Sequence, residues 1–321
     1  MKNKSLDIVK SRAFSSLLPF LVLVVLLIFF NIASGGRFLA GNSIKLMFNQ
    51  TIITGIVATG GVFVFASNNV NIALGSTTAI SAIVAVFAYN YTGSAAAMFV
   101  MAVITAVGIL MISCVASTIF NIGVVIVTII MSNLLSALQK WIMLKYVTLS
   151  LPYELTAAMS EKRIHIIIFA VFLLVCIYIF NMTQVGRMLR FIGENSICAR
   201  QTGFHVSKNI YIAFLMAGIA AGLGAILYLI RNGSVAANSC SSTNMDVMLA
   251  IVLGGMPING GYKSKIAAGI WGASIVTCLS TGLLMIGVSA TVLQAVRGVC
   301  FIGLIIASNK RTELLPVKQT V

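Results

Sequence analysis

Ten apolar runs divide the chain, at 17–34, 50–66, 72–89, 95–117, 119–138, 164–182, 209–230, 247–256, 266–285 and 290–307. They are continuous and do not alternate with period two, so they read as helices and not as barrel strands. A crossing takes about 20 apolar residues, which most of these runs approach. The run 247–256 is too short to cross as a full helix. The pattern predicts an all-α polytopic membrane protein with about 10 transmembrane segments. Residues 1–16 form a cytoplasmic N-terminal segment, 17–307 one transmembrane domain, and 308–321 a cytoplasmic tail. The first run is longer than the roughly 7–15-residue core of a cleaved signal peptide, so it is read as a span that stays.

Two places interrupt the apolar pattern, one in each half. The first is Ala66-Ser-Asn-Asn-Val-Asn-Ile-Ala-Leu-Gly-Ser76; the second runs from Asp246 through Gly254, Gly255 and Pro257 to Gly261. Irregular backbone at membrane depth is tolerated only against protein or a watery cavity, and paired breaks in two halves point to a path at a repeat interface. The fold expected is therefore two pseudo-repeat halves with broken helices. Asn68, Asn71, Gly75, Ser76, Asp246, Gly254 and Gly255 are the candidate path residues. Both stretches would also suit short surface loops, and the pattern leaves the two readings open. Elsewhere, Gly218-Ile-Ala-Ala-Gly222 and Gly269-Ile-Trp-Gly-Ala273 have the small-xxx-small spacing of close helix contacts.

Composition narrows the class. Hydrophobic residues make up 60% of the 321, against 8% charged, and the mean hydropathy is +1.07. A soluble domain carries about 25% charge, so any large aqueous domain must come from another chain. The net charge of +15 does not indicate nucleic acid, because the basic residues are spread over loops. With both termini inside, 13 of them fall on the inner side and seven on the outer, the bias expected of a cytoplasmic face. Arg297 alone lies within a span, where insertion costs about 2.5–3.5 kcal/mol. It is therefore a further path candidate, with two outcomes open: pairing with Asp246, or snorkelling to an interface.

What is missing excludes other chemistries. There is no GxxxxGK[ST] loop for ATP, no set of buried carboxylates to carry protons or sodium, and no clustered acid, base and nucleophile. Six cysteines without a CxxC pair read as small core residues, with no metal site. A passive channel or an externally powered permease remains. The polar segment 183–208 holds Arg187, Arg190, Glu194, Arg200 and Lys208, and its middle, Asn195 to Gly203, reads as a short helix ended by glycine. It would serve equally as a partner-docking element or as a solvated loop.

The motifs Ile192-Gly-Glu-Asn-Ser-Ile-Cys-Ala-Arg-Gln-Thr-Gly203, Asp246-Val-Met-Leu-Ala-Ile-Val-Leu-Gly-Gly255, Gly260-Gly261 and Asn71-Ile-Ala-Leu-Gly-Ser76 resemble the permease subunits of ribose-type and xylose-type ABC sugar importers. The resemblance covers about 50–310. It implies a bacterial inner-membrane subunit that moves a sugar or sugar-like solute by alternating access. The implied partners are a cytoplasmic ATP-binding subunit pair, an extracytoplasmic solute-binding protein, a second permease chain and membrane lipid. No cofactor is expected on this chain, since ATP and Mg would sit on the ATPase. It also implies an ATPase-coupling segment within about 187–208, carried by Gly193, Asn195, Ser196, Arg200 and Gly203. Two departures stand out: Ser196-Ile197-Cys198 replaces the family's E-A-A element, and Asn71 replaces the acid of D-L-S-V-G-S. They leave two assemblies open: a homodimer, or a heterodimer with a more typical permease. A secondary transporter or facilitator of a small polar solute is the alternative, and the cargo is not legible.

Overall fold

The structure is a computed structural model in which residues 12–161, 164–203, 205–257 and 259–313 are described. Most of the segment 1–16 and the end of the tail 308–321 lie outside these residues. The elements, in chain order, are α1 Arg12–Ala33, α2 Gly41–Ala66, α3 Leu74–Thr92, α4 Ala95–Ile119, α5 Val124–Lys145, β1 Thr148–Ser150, α6 Tyr153–Glu161, α7 Ile164–Met182, α8 Gln184–Glu194, α9 Ser196–Gln201, α10 Val206–Asn232, β2 Ser234–Ala236, α11 Thr243–Leu253, α12 Ala267–Met285 and α13 Ala290–Glu313.

Every apolar run lies on a helix. Seven helices among the described residues are long and apolar enough to cross a membrane: α2, α3, α4, α5, α7, α10 and α12. The other three runs give shorter apolar helices, Pro19–Ala33, Thr243–Leu253 and Ala290–Gly303. At 1.5 Å per residue α11 extends only about 16 Å, roughly half the hydrocarbon thickness. Helix length thus supports seven crossings directly, against the expected ten.

Two boundaries move. The run 119–138 is displaced along the chain, because Asn121 takes φ +52° and Gly123 precedes the helix, so α5 starts at Val124. It then continues through Gln139 and Lys140 to Lys145, because the Gln139 amide is buried and donates to the carbonyls of Ala236 (2.9 Å) and Ser239 (3.0 Å). The stretch 139–163, which lies between two of the apolar runs, holds the end of α5, a strand and α6. Strand β1 pairs antiparallel with β2, Leu149 opposite Val235, the one sheet among the described residues.

The halves α2–α5 and α10–α13 repeat each other with inverted direction. Helices α2 and α10 run antiparallel: Gln50 meets Arg231, Val57 meets Gly224, and Gly60 meets Ala220. Helix α2 packs on α12 as α10 packs on α4, α3 lies on α4 as α11 lies on α12, and α3 meets α5 as α11 meets α13. Close approach rests on the small residues the spacing singled out. A Cβ on Gly218 or Gly222 would run into Val107 or Val103 of α4, one on Gly269 into Thr59 of α2, and one on Gly272 into the Ala250 carbonyl of α11.

Gly222→Leu should therefore force α4 and α10 apart and destabilise the protein by about 1–3 kcal/mol. Gly108→Leu faces open space and should leave thermal unfolding of the detergent-purified protein unchanged. Equal melting temperatures for the two variants would refute this packing.

Candidate functional site

Helices α3 and α11 both begin inside the bundle. The free N–H groups of a helix start need acceptors, yet Ala73, at the N-cap of α3, has no side chain to offer them. Asn244, in the first turn of α11, supplies the acceptor. Its Oδ1 accepts from Gly75 N (2.6 Å) and Ser76 N (3.1 Å). Its Nδ2 donates to Ser76 Oγ (2.9 Å) and to Ser132 Oγ of α5 (3.0 Å). Ser76 Oγ lies 2.9 Å from Ser132 Oγ and 3.3 Å from Ser136 Oγ. A Cβ on Gly75 would press on the Asn244 backbone at 2.6 Å, so only glycine fits there. Asn71 turns back on its own chain, its Oδ1 accepting from Ala73 N at 2.9 Å, while its buried Nδ2 has no partner.

Two residues further along α11, Asp246 faces Arg297 of α13. Arg297 Nε lies 3.1 Å from Asp246 Oδ1, and the two side chains are 6% and 8% exposed. The pair is off the axis of a hydrogen bond, so charge attraction holds it. Arg297 Nη2 donates to Ser280 Oγ of α12 (2.8 Å), and Ser242 Oγ donates to Asp246 Oδ2 (3.2 Å). Arg297 therefore does not snorkel. Ser132 lies eight residues into α5 and Arg297 seven into α13, each roughly 11–12 Å of helix from the nearer end. Both clusters sit at depth.

The other candidates gather at one end of the bundle. Asn195 caps α9, its Oδ1 accepting from Ile197 N and Cys198 N, both at 3.0 Å. Gly203, at φ +80°, follows the helix end. Ser196, Ile197 and Arg200 point outward, with Ile197 67% exposed. Helix α8 is anchored by Arg190, which donates to the Phe180 carbonyl (2.7 Å) and stacks 4.4 Å over the Phe180 ring. At the α8–α9 corner a Cβ on Gly193 would strike the Ala66 carbonyl that closes α2 and approach Gly261 N at 2.6 Å. Gly261 N donates to that same carbonyl (3.1 Å), and Tyr262 N donates to Glu194 Oε2 (3.2 Å). The ends of α2, of the α11–α12 connection and of α8 thus meet at one junction.

The expected path residues therefore separate. Asn71, Gly75, Ser76, Asp246 and Arg297 lie at the two deep clusters. Asn68, exposed at φ +60°, sits in the turn after α2. Gly254 ends α11 against the Ala268 carbonyl, and Gly255, at φ +89°, lies beside Pro19. Sequence reasoning missed Asn244, Ser132, Ser136 and Ser280. Ser241-Ser242-Thr243-Asn244 ahead of an apolar run is a helix-start signal, and Ser132 with Ser136 has the i, i+4 spacing of one helix face.

The family described as branched-chain amino acid transport system / permease component matches residues 43–306. The probable ABC transporter permease protein YphD of Escherichia coli K12 is 29% identical over 150 residues, 47% of this chain and 44% of YphD. The ribose import permease protein RbsC of the same organism is 30% identical over 134 residues, 42% of this chain and 41% of RbsC. The chain thus spans less than half the length of these two relatives. The autoinducer 2 import system permease protein LsrC of Enterobacter sp. 638 is 25% identical over 326 residues, 97% of this chain and 91% of LsrC. No solved structure matches.

Asp246→Asn or Arg297→Gln alone strands a buried charge and should cost about 3–5 kcal/mol. The double variant should cost less than the sum of the two. Thermal unfolding of all four proteins checks this, and additive losses would show that the ions act independently.

Proposed function

The chain belongs to the family of branched-chain amino acid transport system / permease components, and from that premise we propose that it is the permease subunit of an ATP-powered importer of a sugar or sugar-like solute. The observation that carries the reading is the junction. The segment α8–α9, proposed to receive the ATPase, touches through Gly193 and Glu194 the ends of both broken stretches. A push on α9 is thereby delivered to both halves at once, as alternating access requires. Exposed Ile197 and Arg200 offer an apolar and a cationic contact to a docked subunit.

In this reading a cytoplasmic ATP-binding subunit pair holds ATP and Mg and this chain holds no cofactor. An extracytoplasmic solute-binding protein delivers cargo, and a second permease chain completes the assembly. The basic bias places the junction and both termini on the cytoplasmic side of the inner membrane. Relatives named for ribose and autoinducer 2 import support a sugar-like cargo. So does the chemistry of the deep clusters: Asp246 and Arg297 neutralise each other, leaving hydroxyls, an amide and backbone N–H groups. That set suits a neutral hydroxylated solute, whereas an amino acid zwitterion would bring two charges without counterparts. The missing acids at Asn71 and Ser196 favour pairing with a second, unlike permease.

Reconstituted with an ATP-binding subunit pair and a solute-binding protein of the sugar-importer class, the chain should give ATP-dependent uptake of at least one labelled sugar from a pentose and hexose panel. Uptake that persists without the ATPase would sink the reading in favour of a facilitator. Asn195→Ala removes the α9 cap, worth about 1 kcal/mol of helix stability, and should cut uptake several-fold while ATP hydrolysis continues. Tight coupling in that variant would count against α9.

A further inference from the structure

The two halves repeat each other's packing but not each other's chemistry. Ser76 and Asp246 occupy the first turns of α3 and α11, and Ser132 and Arg297 occupy matching depths on α5 and α13. The first pair meets through neutral hydroxyls at 2.9 Å, the second through an ion pair at 3.1 Å. Asn244 breaks the symmetry. It reaches from α11 into the other half and caps α3 from 168 and 169 positions away along the chain.

We propose that Asn244 is the latch of the solute path: α11, α12 and α13 move as one body, and the seam that parts runs between α11 and the α3–α5 pair. The proposal rests on the transport reading above. Each hydrogen bond that Asn244 makes across this seam is neutral, and water or a solute hydroxyl can replace it in kind. Parting Asp246 from Arg297 would instead leave an uncompensated charge on both sides. Helix α12 is also seated on α11 by Gly272 under the Ala250 carbonyl and by Gly254 against the Ala268 carbonyl, and it holds Arg297 through Ser280. When the latch opens, the N–H groups of Gly75 and Ser76 lose their acceptor together, and the Ser76 and Ser132 hydroxyls, still bonded to each other, each lose the Asn244 donor. The partnerless Nδ2 of Asn71 sits at the foot of the same helix. A neutral polyol supplies oxygens and hydroxyls for all of them and needs no counter-ion. Asn244 is a positioning residue that acts by excluding the solute until the seam parts.

Two measurements test the latch. Full-length chain in proteoliposomes, without ATPase, is loaded with labelled ribose or glycerol, and passive efflux is followed. Asn244→Ala should leak at least tenfold faster than the unaltered chain, and Ser132→Ala should leak to a lesser degree. In a chain whose six native cysteines are replaced, Ser132→Cys with Asn244→Cys should cross-link on oxidation. In the reconstituted complex this should abolish ATP-driven uptake, and reduction should release the seam and leave the fast efflux of a chain that lacks the Asn244 amide. The cross-link keeps the test available if Asn244→Ala fails to insert. No excess leak from inserted Asn244→Ala, no cross-link, or undiminished uptake once cross-linked would each overturn the latch. Absent uptake by the unaltered complex would sink the transport reading instead, and the leak comparison would still decide the latch.

Discussion

A peptide N–H that starts a helix inside an apolar bundle must find an acceptor, because no water is there to supply one. Helix α3 starts in that position, and its own chain offers Ala73, which has nothing to give. The Asn244 amide meets the demand and spends its two remaining hydrogens on Ser76 and Ser132. The register of α3 against α11 follows from that one side chain. So does the absence of a side chain at Gly75, since the two backbones must nearly touch for the amide to reach.

Charge is used sparingly around this centre. Among the described residues Asp246 is the one acid set deep in the bundle with a cation against it, and that cation is the single arginine predicted to lie within a span. A matched pair leaves no net charge for a cargo to answer, and the hydroxyl cluster of the other half carries none. Among the described residues there is thus no buried set of carboxylates, and in the proposed reading the polar groups that would greet a solute are neutral. In the proposed reading the work enters as a push at the junction end.

Much of this was legible in sequence because apolar runs and scarce charges are local signals. All ten runs are helical, and the two interruptions fall where helices stop. Asp246 and Arg297 found each other because so few alternatives existed. The short helix after Asn195 was announced by its cap and its glycine. Other features were hidden because their causes are non-local. Gln139 looked like the start of a loop, yet its amide bonds two carbonyls nearly a hundred positions away. Asn244 looked like part of a polar linker, since nothing near it in sequence says that α3 needs a cap. The glycine junction was visible as Gly260-Gly261 but not its purpose, which depends on Gly193 arriving from another helix.

The small ribbon β1–β2 gives one end of the bundle a tie between the two halves. It ties the connection after α5 to the one after α10 by a strand ladder, by Leu151 N on the Gly233 carbonyl (2.9 Å), and by both Gln139 bonds. The opposite end is held by Gly261 on Ala66 and Tyr262 on Glu194. In the proposed reading the ribbon would act as a fulcrum and the helices as lever arms for a displacement at α9, because the strand ladder and the Gln139 bonds hold the far face together.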